Sequence, residues 1–171
     1  AAELQVSNWI ASTAHLSFSG GLADWNPAGV LATAGMTVRL RSAGDRADAR
    51  ISANGWKGAS SFATLDAAAI GRSSAERRGL VYVGRASVGM ATRSVPPDAW
   101  FGGDVGITRA VLLRAHPLVD DGRLRTAQLG RRLVAASGEV QRWWTSAVGR
   151  VGAALFVDAV RAGTRLAPGA R

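Results

Sequence analysis

The sequence contains no cysteine among its 171 residues. It therefore forms no disulfide and offers no thiolate as a nucleophile or as a ligand for zinc or an iron–sulfur cluster. No apolar run approaches the roughly 20 residues that a membrane-spanning helix needs. The start of the chain lacks the charged and then apolar layout of a secretion signal. We therefore expect the chain to be either a mature protein or one part of a longer protein, and we favour the second.

Charge is sparse and mostly of one sign. Charged residues make up 19% of the sequence, below the roughly 25% of an average soluble domain, and 21 basic residues face 12 acidic ones for a net charge of +9. Lys57 is the single lysine, and the arginines are scattered, which disfavours a basic tail or recognition helix. Aromatic residues are only 6% of the chain, too few for a base-stacking surface. Nucleic acid is therefore not an expected partner.

The informative signal in the sequence is a period of two. Alternate side chains of a strand face opposite sides of a sheet, so alternation of apolar and polar residues predicts a strand. In Val30–Leu40 every even position is apolar, while the odd positions include Thr, Gly and Arg. We predict an all-β, antiparallel fold of about seven strands. The segments that alternate are Leu4–Phe18, Val30–Leu40, Asp48–Asn54, Ser60–Gly71, Leu80–Met90, Gly130–Trp144 and Ala147–Asp158.

The lengths and the faces of these strands favour a membrane. Several exceed the usual five or six residues, whereas a transmembrane strand needs about 9–11. A basic side chain at the lipid-facing midplane costs about 2–4 kcal/mol, and the cleanest apolar faces carry none. The opposite faces hold Ser, Thr, Gly and isolated charges, as a wet lumen would. Tryptophans at or near predicted strand ends or loops are expected to form an interfacial girdle. The alternative for each of them is a core or turn tryptophan of a soluble β domain. They are Trp9, Trp25, Trp56, Trp100, Trp143 and Trp144.

The connections between predicted strands alternate in length. The two longest, Ser19–Ala28 and Arg93–Gln128, fall on the same side of the sheet, as in barrels with short turns at one end and long loops at the other. The step at Gly58–Ala59 is too short for its side. No internal repeat and no second domain is visible. We therefore expect residues 1–171 to form one partial transmembrane β-barrel domain whose long extracellular loop covers about 93–128.

The long loop and the two strands after it carry a resemblance to a known family. The loop contains Gly102-Gly103 and then two arginines, Arg109 and Arg114, and Glu139 lies in the next predicted strand. Phe156-Val157-Asp158 follows in the last strand. This order is similar to the C-terminal barrel of the outer-membrane protein assembly and translocation family, also called the bacterial surface antigen family. In that family a long loop folds into the lumen, and its Arg-Gly-aromatic tip meets acidic residues on the twelfth and thirteenth of sixteen strands.

The resemblance implies that a loop arginine pairs with Glu139 and Asp158, both of which the alternation places on the polar face. A planar guanidinium between two carboxylates is bidentate and charge-assisted, and can hold a loop in place. The chain departs from the motif, because it reads Arg114-Ala115-His116 where the family has Arg-Gly-aromatic. Arg109 lies closer to the usual distance after the glycine pair. We favour Arg114 because His116 supplies a planar ring at the aromatic position.

The resemblance also implies a function, a location and partners. We expect a non-enzymatic barrel of the bacterial outer membrane, corresponding to about strands seven to thirteen, which helps to insert or translocate β-rich polypeptides. Its partners would be the lipid bilayer, unfolded outer-membrane polypeptides and periplasmic accessory proteins. Seven strands alone leave two bare edges that lipid cannot satisfy. The missing strands are expected elsewhere in the full protein.

Two other classes remain open: a passive porin-like channel, which needs no folded-back arginine, and a soluble antiparallel β domain that binds a polyanion. Enzymatic signatures such as a nucleophile elbow, a P-loop or a zinc-binding His-Glu-x-x-His are lacking, so we expect no enzyme and no cofactor. His15 and His116 are far apart in the sequence and suggest no metal site. Glu139 and Asp158 fit a structural ion network better than a general acid–base pair.

Overall fold

The computed structural model describes residues 2–25, 29–76, 78–104, 111–114, 119–120, 123–124 and 129–163. Its main feature is one eight-stranded antiparallel sheet in which sequence order and spatial order coincide. The prediction of an all-β antiparallel fold is confirmed, with eight strands in this sheet rather than seven. These strands are β1 (Ala2–Ala11), β2 (Ala14–Trp25), β3 (Gly29–Arg41), β4 (Ala47–Lys57), β5 (Ser61–Arg72), β6 (Gly79–Ala91), β12 (Arg132–Ser146) and β13 (Gly149–Gly163).

The segment between β6 and β12, residues 92–131, is called the long segment. Its described residues include five short strands. After a short 3-10 helix at Pro97–Ala99, it contains β7 (Phe101–Asp104), β8 (Val111–Leu112), β9 (Val119–Asp120), β10 (Arg123–Leu124) and β11 (Leu129–Gly130). β7 pairs with β11 antiparallel and with β8 in parallel, and β9 pairs with β10. The long segment thus lies between the sixth and seventh strands of the sheet, not between the fifth and sixth as predicted.

The extra strand comes from the beginning of the chain, where Leu4–Phe18 was predicted as one strand. β1 ends at Ala11 and β2 begins at Ala14, and the register shifts between Trp9 and Ala11. A two-residue turn alone would reverse the parity of the apolar residues in the second strand. The bulge adds one residue and restores that parity, so the alternation runs through the hairpin without a break. The predicted loop at Ser19–Ala28 is accordingly wrong, because strand β2 continues to Trp25.

Cross-strand pairing sorts the sheet into an apolar face and a polar face. Twenty large apolar side chains of the apolar face are substantially exposed, and none of the described residues covers them. Charged residues on this face lie outside the middle third of their strands; they are Asp24, Lys57, Arg132, Arg142 and Arg161. The exposed apolar set is Leu4, Val6, Ile10, Phe18, Leu22, Val30, Met36, Leu40, Ile51, Leu65, Leu80, Tyr82, Val88, Met90, Val134, Val140, Trp144, Val151, Leu155 and Val157.

The polar face carries hydrogen bonds and ion pairs between neighbouring strands. Arg39 Nε donates to Asp48 Oδ2 at 2.7 Å, and Arg50 Nη2 donates to Asp66 Oδ2 at 3.1 Å. Each pair joins directly adjacent strands, β3 to β4 and β4 to β5. Paired charges therefore link neighbouring strands along the polar face. No helix among the described residues is both long and apolar enough to cross a membrane.

The buried core of the molecule is small and lies on the polar face, under the start of the long segment. Leu31, Phe62 and Val95 are buried there, with Trp56 and Trp100 packed against them. The rings of Trp56 and Phe62 stack at 4.8 Å between centroids. The beginning of the long segment is thereby held against β3, β4 and β5.

This core corrects the prediction of an interfacial tryptophan girdle. Trp56 and Trp100 pack in the core, and the registers place Trp9 and Trp143 on the polar face as well. Of the tryptophans whose side chains are described, only Trp144 lies on the apolar face. Nearness to a strand end does not determine which face a residue occupies, because that depends on its parity within the strand. The side chain of Trp25 falls outside the described part of the chain.

Candidate functional site

Strands β12 and β13 present the acidic residues of the candidate site on one face. Their register places Ser137 opposite Asp158 and Glu139 opposite Phe156. Residues directly opposite each other in an antiparallel pair lie on the same face, so these four side chains share the polar face. The residues between them, such as Gly138 and Val157, fall on the apolar face. The alternation of the two strands therefore assembles this set without any help from a loop.

Two glycines allow the long segment to approach the polar face closely. A Cβ atom added at Gly89 of β6 would lie 2.8 Å from Cδ1 of Phe101, so the Phe101 ring rests directly on that glycine. A Cβ added at Gly103 would lie 3.1 Å from both Cβ of Leu113 and Cγ2 of Val160. Glycine is the residue that permits such contact. This seating of β7 brings Leu113, and with it Arg114, over β13.

Arg114 forms a bidentate ion pair with Asp158. Its Nε donates to Oδ2 at 3.0 Å and its Nη2 donates to Oδ1 at 2.9 Å. The backbone N–H of Arg114 also donates to Asp158 Oδ2, at 3.0 Å. Paired charge-assisted hydrogen bonds of this kind add geometric selectivity to the attraction. Both the side chain and the backbone of the long segment are thus fixed at one carboxylate of β13.

The same guanidinium contacts β12 and an aromatic ring. Arg114 Nη1 donates to Glu139 Oε2 at 2.9 Å, and Nη2 donates to Ser137 Oγ at 3.2 Å. Its Cζ lies 3.8 Å from the centre of the Phe156 ring, a close cation–π contact. We call the contacts of Arg114 with Ser137, Glu139, Phe156 and Asp158 the Arg114 network.

The Arg114 network is largely shielded from solvent. The side chains of Asp158 and Glu139 are only 4% and 9% exposed, and that of Arg114 is 21% exposed. Hydrogen bonding to Asp158 raises the pKa of Arg114 above its ordinary value, against the opposing effect of desolvation. The guanidinium therefore stays charged at any physiological pH.

A second arginine and a hydrogen-bonded relay extend the site, and sequence reasoning missed both. Arg85 Nη1 of β6 donates to Glu139 Oε2 at 3.0 Å. Gln141 Nε2 donates to Glu139 Oε1 at 2.8 Å, and Trp143 Nε1 donates to Gln141 Oε1 at 2.9 Å. These residues lie on the polar parity of their strands, which was visible in the sequence. Their proximity to Glu139 depends on the β6–β12 register, which was not.

The structure brings together Arg114, Glu139, Asp158 and Phe156 from the predicted set. Gly102 and Gly103 lie in β7, where both are buried. The two other candidates, Arg109 and His116, lie outside the described residues. Of the two arginines that the sequence left open, Arg114 is the one that the structure places between the carboxylates.

The chemistry of the site is that of a balanced ion network. Two guanidinium groups, of Arg85 and Arg114, face two carboxylates, of Glu139 and Asp158. Both carboxylates are engaged by hydrogen-bond donors. Within the described ranges, no three His, Cys, Asp or Glu side chains are grouped so that they could hold a metal ion. The arrangement is suited to holding a segment in place.

Comparison of the sequence with protein-family models and with curated proteins gives no match.

Proposed function

We propose that this chain belongs to a barrel of the bacterial outer membrane that helps to insert or translocate other β-rich polypeptides, and that it acts without catalysis. The observation that carries the proposal is the Arg114 network. It joins a long segment to the two strands that follow it, across the polar face of a sheet whose other face is apolar. This is the arrangement implied by the resemblance to the bacterial surface antigen family.

The apolar face supports a lipid environment for the sheet. Soluble monomers rarely expose apolar patches larger than a few hundred Å². Here large side chains from all eight strands line one face, among them Leu4, Phe18, Val140 and Leu155, each at least 39% exposed. The charged residues of that face stay out of the middle third of the strands, where a basic residue would cost about 2–4 kcal/mol in a bilayer. This pattern argues against the alternative of a soluble domain that binds a polyanion.

The edges of the sheet require partners under this proposal. Among the described residues, β1 pairs only with β2, and β13 pairs within the sheet only with β12. Unpaired backbone groups at an edge cost several kcal/mol each inside a bilayer. We therefore expect further strands to pair with β1 and β13 and to complete the barrel.

The Arg114 network favours an assembly or translocation role over a passive channel. A passive channel needs an apolar exterior and a polar interior, but it does not need an arginine drawn onto two shielded carboxylates. In an assembly protein, the part of the long segment that is held at Glu139 and Asp158 would affect how much of the interior is open to a client polypeptide. Release or retention of that segment would then control access to the interior.

The first experiment tests the membrane location. The protein, with whatever sequence its gene encodes beyond residues 1–171, is expressed in a Gram-negative host and its membranes are washed with carbonate. We expect it in the outer-membrane fraction, with electrophoretic migration that changes on heating. Recovery in the aqueous fraction after gentle lysis would contradict the proposal.

The second experiment tests the assembly role in lipid vesicles that contain the purified protein and an unfolded outer-membrane client. Asp158→Asn should slow client folding. The matched control is Asp66→Asn, which removes a charge from a second ion pair of the same face, with Arg50 at 3.1 Å. Equal client folding by wild type, Asp158→Asn and protein-free vesicles would contradict an assembly role.

A further inference from the structure

We propose that Ser137, Glu139, Phe156 and Asp158 form a guanidinium-binding site carried by the sheet alone. Arg114 occupies this site from the long segment, and an arginine side chain of another polypeptide can occupy it in its place. The geometry of the site requires neither a membrane nor a client polypeptide, so the site would exist in any protein that contains this sheet. Arg114 is accordingly a tethered ligand of the site.

All the binding groups of the site come from two paired strands. Ser137 is opposite Asp158 and Glu139 is opposite Phe156 in an uninterrupted β12–β13 register. The backbone positions of these four residues are set by this strand pairing. The site is therefore expected to keep its shape when Arg114 withdraws.

The chemistry of the site selects a guanidinium over other cations. Asp158 accepts two parallel hydrogen bonds from Nε and Nη2 of Arg114, while Glu139 accepts one from Nη1. This divergent set of acceptors fits a planar fork, whereas an ammonium is a compact point charge. The ring of Phe156, 3.8 Å from the guanidinium carbon, adds a flat face on which a planar cation stacks.

The two carboxylates differ in what they retain when Arg114 leaves. Glu139 keeps its ion pair with Arg85 of β6, at 3.0 Å. Among the described residues, Arg114 is the only cation that forms an ion pair with Asp158, whose side chain is 4% exposed. An empty site therefore holds one carboxylate without a counter-ion, which favours uptake of another cation. Because Glu139 keeps its ion pair with Arg85, the empty site lacks only one positive charge.

The test removes the tethered ligand and supplies a free one. Arg114→Ala protein in detergent micelles is titrated with N-acetylarginine amide, with N-acetyllysine amide at equal ionic strength as the control. Binding is followed by the rise in unfolding temperature and by the indole 15N–1H resonance of Trp143, assigned through Trp143→Phe. Trp143 reports on the site because it is linked through Gln141 to Glu139.

We expect saturable binding of the arginine derivative and at least about tenfold weaker binding of the lysine derivative, equivalent to the loss of one charge-assisted hydrogen bond. Adding Asp158→Asn to Arg114→Ala should abolish the response, and adding Asp66→Asn should leave it unchanged. If Arg114→Ala does not fold, Arg114→Gln replaces it.

Equal responses to the two derivatives, no response to the arginine derivative, or a response that survives Asp158→Asn would overturn the inference. The assay contains neither vesicles nor a client, so its failure is distinct from failure of the proposed function.

Discussion

Arg85 and Arg114 donate to the same oxygen, Oε2 of Glu139, at 3.0 and 2.9 Å. One guanidinium belongs to a strand of the sheet and the other to the long segment between β6 and β12. Glu139 thus links strand β6 of the sheet to the long segment. Because, among the described residues, Glu139 has two arginine partners and Asp158 has one, we expect substitutions at Arg85 and at Arg114 to affect stability to different degrees.

The Arg114–Asp158 pair should behave as a unit. Arg114→Ala is expected to lower the free energy of unfolding by about 3 kcal/mol, because it leaves the carboxylate of Asp158 without its cation. Asp158→Asn is expected to cost about 2–3 kcal/mol, because it removes the charge that accepts three hydrogen bonds from Arg114, whose one remaining ion pair among the described residues is with Glu139. The double variant should be no worse than either single variant. Denaturant titrations of all four proteins in micelles measure this. Additive losses would show that the two side chains act independently.

Arg85 should matter most when Arg114 is absent. In the wild-type protein Glu139 retains Arg114, so we expect Arg85→Ala to cost about 1 kcal/mol. In the Arg114→Ala background the same change leaves Glu139 without either arginine, and the cost should rise to about 3 kcal/mol. The midpoints of denaturant unfolding for the four combinations give both values. An equal cost in the two backgrounds would mean that Arg85 does not share Glu139 with Arg114.

Gly89→Ala should displace the long segment. The added methyl group would lie 2.8 Å from the Phe101 ring, so the ring must shift or the segment must lift. We expect a loss of about 1–3 kcal/mol, as for other overpacked sites. Gly84→Ala is the control, since it lies on the same strand and its added Cβ meets nothing within 4 Å. Similar unfolding midpoints for Gly89→Ala and Gly84→Ala would show that Phe101 does not rest on the strand as described.

Phe18→Arg should impair membrane incorporation. Phe18 lies near the middle of β2 on the apolar face and is 51% exposed. An arginine there should cost about 2–4 kcal/mol in a bilayer. Ser19→Arg is the neighbouring control on the polar face, where the charge meets no lipid. The yield of carbonate-resistant, heat-modifiable protein measures the effect; comparable yields for the two variants would contradict a lipid-facing position for Phe18.

The faces of the sheet could be predicted from the sequence because parity is a local property. Glu139 and Asp158 lie on the polar face, as the alternation of their own strands indicated. The bulge near Ile10 could not be predicted in the same way, because it leaves the alternation of apolar and polar residues unbroken through the turn. The end of β1 and the start of β2 therefore left no signal in the sequence pattern.

Contacts between side chains of different strands were harder to predict from the sequence than the face of the sheet on which each side chain lies. Arg85 was visible as a polar residue of its strand, but it meets Glu139 only because the β6–β12 register places Arg85 opposite Ser137. That register is set across the 92–131 segment, and no local pattern specifies it. The tryptophan girdle was mispredicted for a related reason: Trp56 lies near a strand end, but its parity directs it to the core on the polar face.

The strand order has a consequence for how the molecule acquires its structure. Six of the seven pairings in the sheet join strands separated by a short connection, and only β6–β12 spans the long segment. Short chain closures cost less entropy than long ones, so the hairpins of β1–β6 and of β12–β13 should form first. The contacts of Arg114 need β12, β13 and the long segment together, so they should be the last to appear. Pulsed hydrogen exchange during refolding should protect the amides of β2–β5 before the backbone N–H of Arg114.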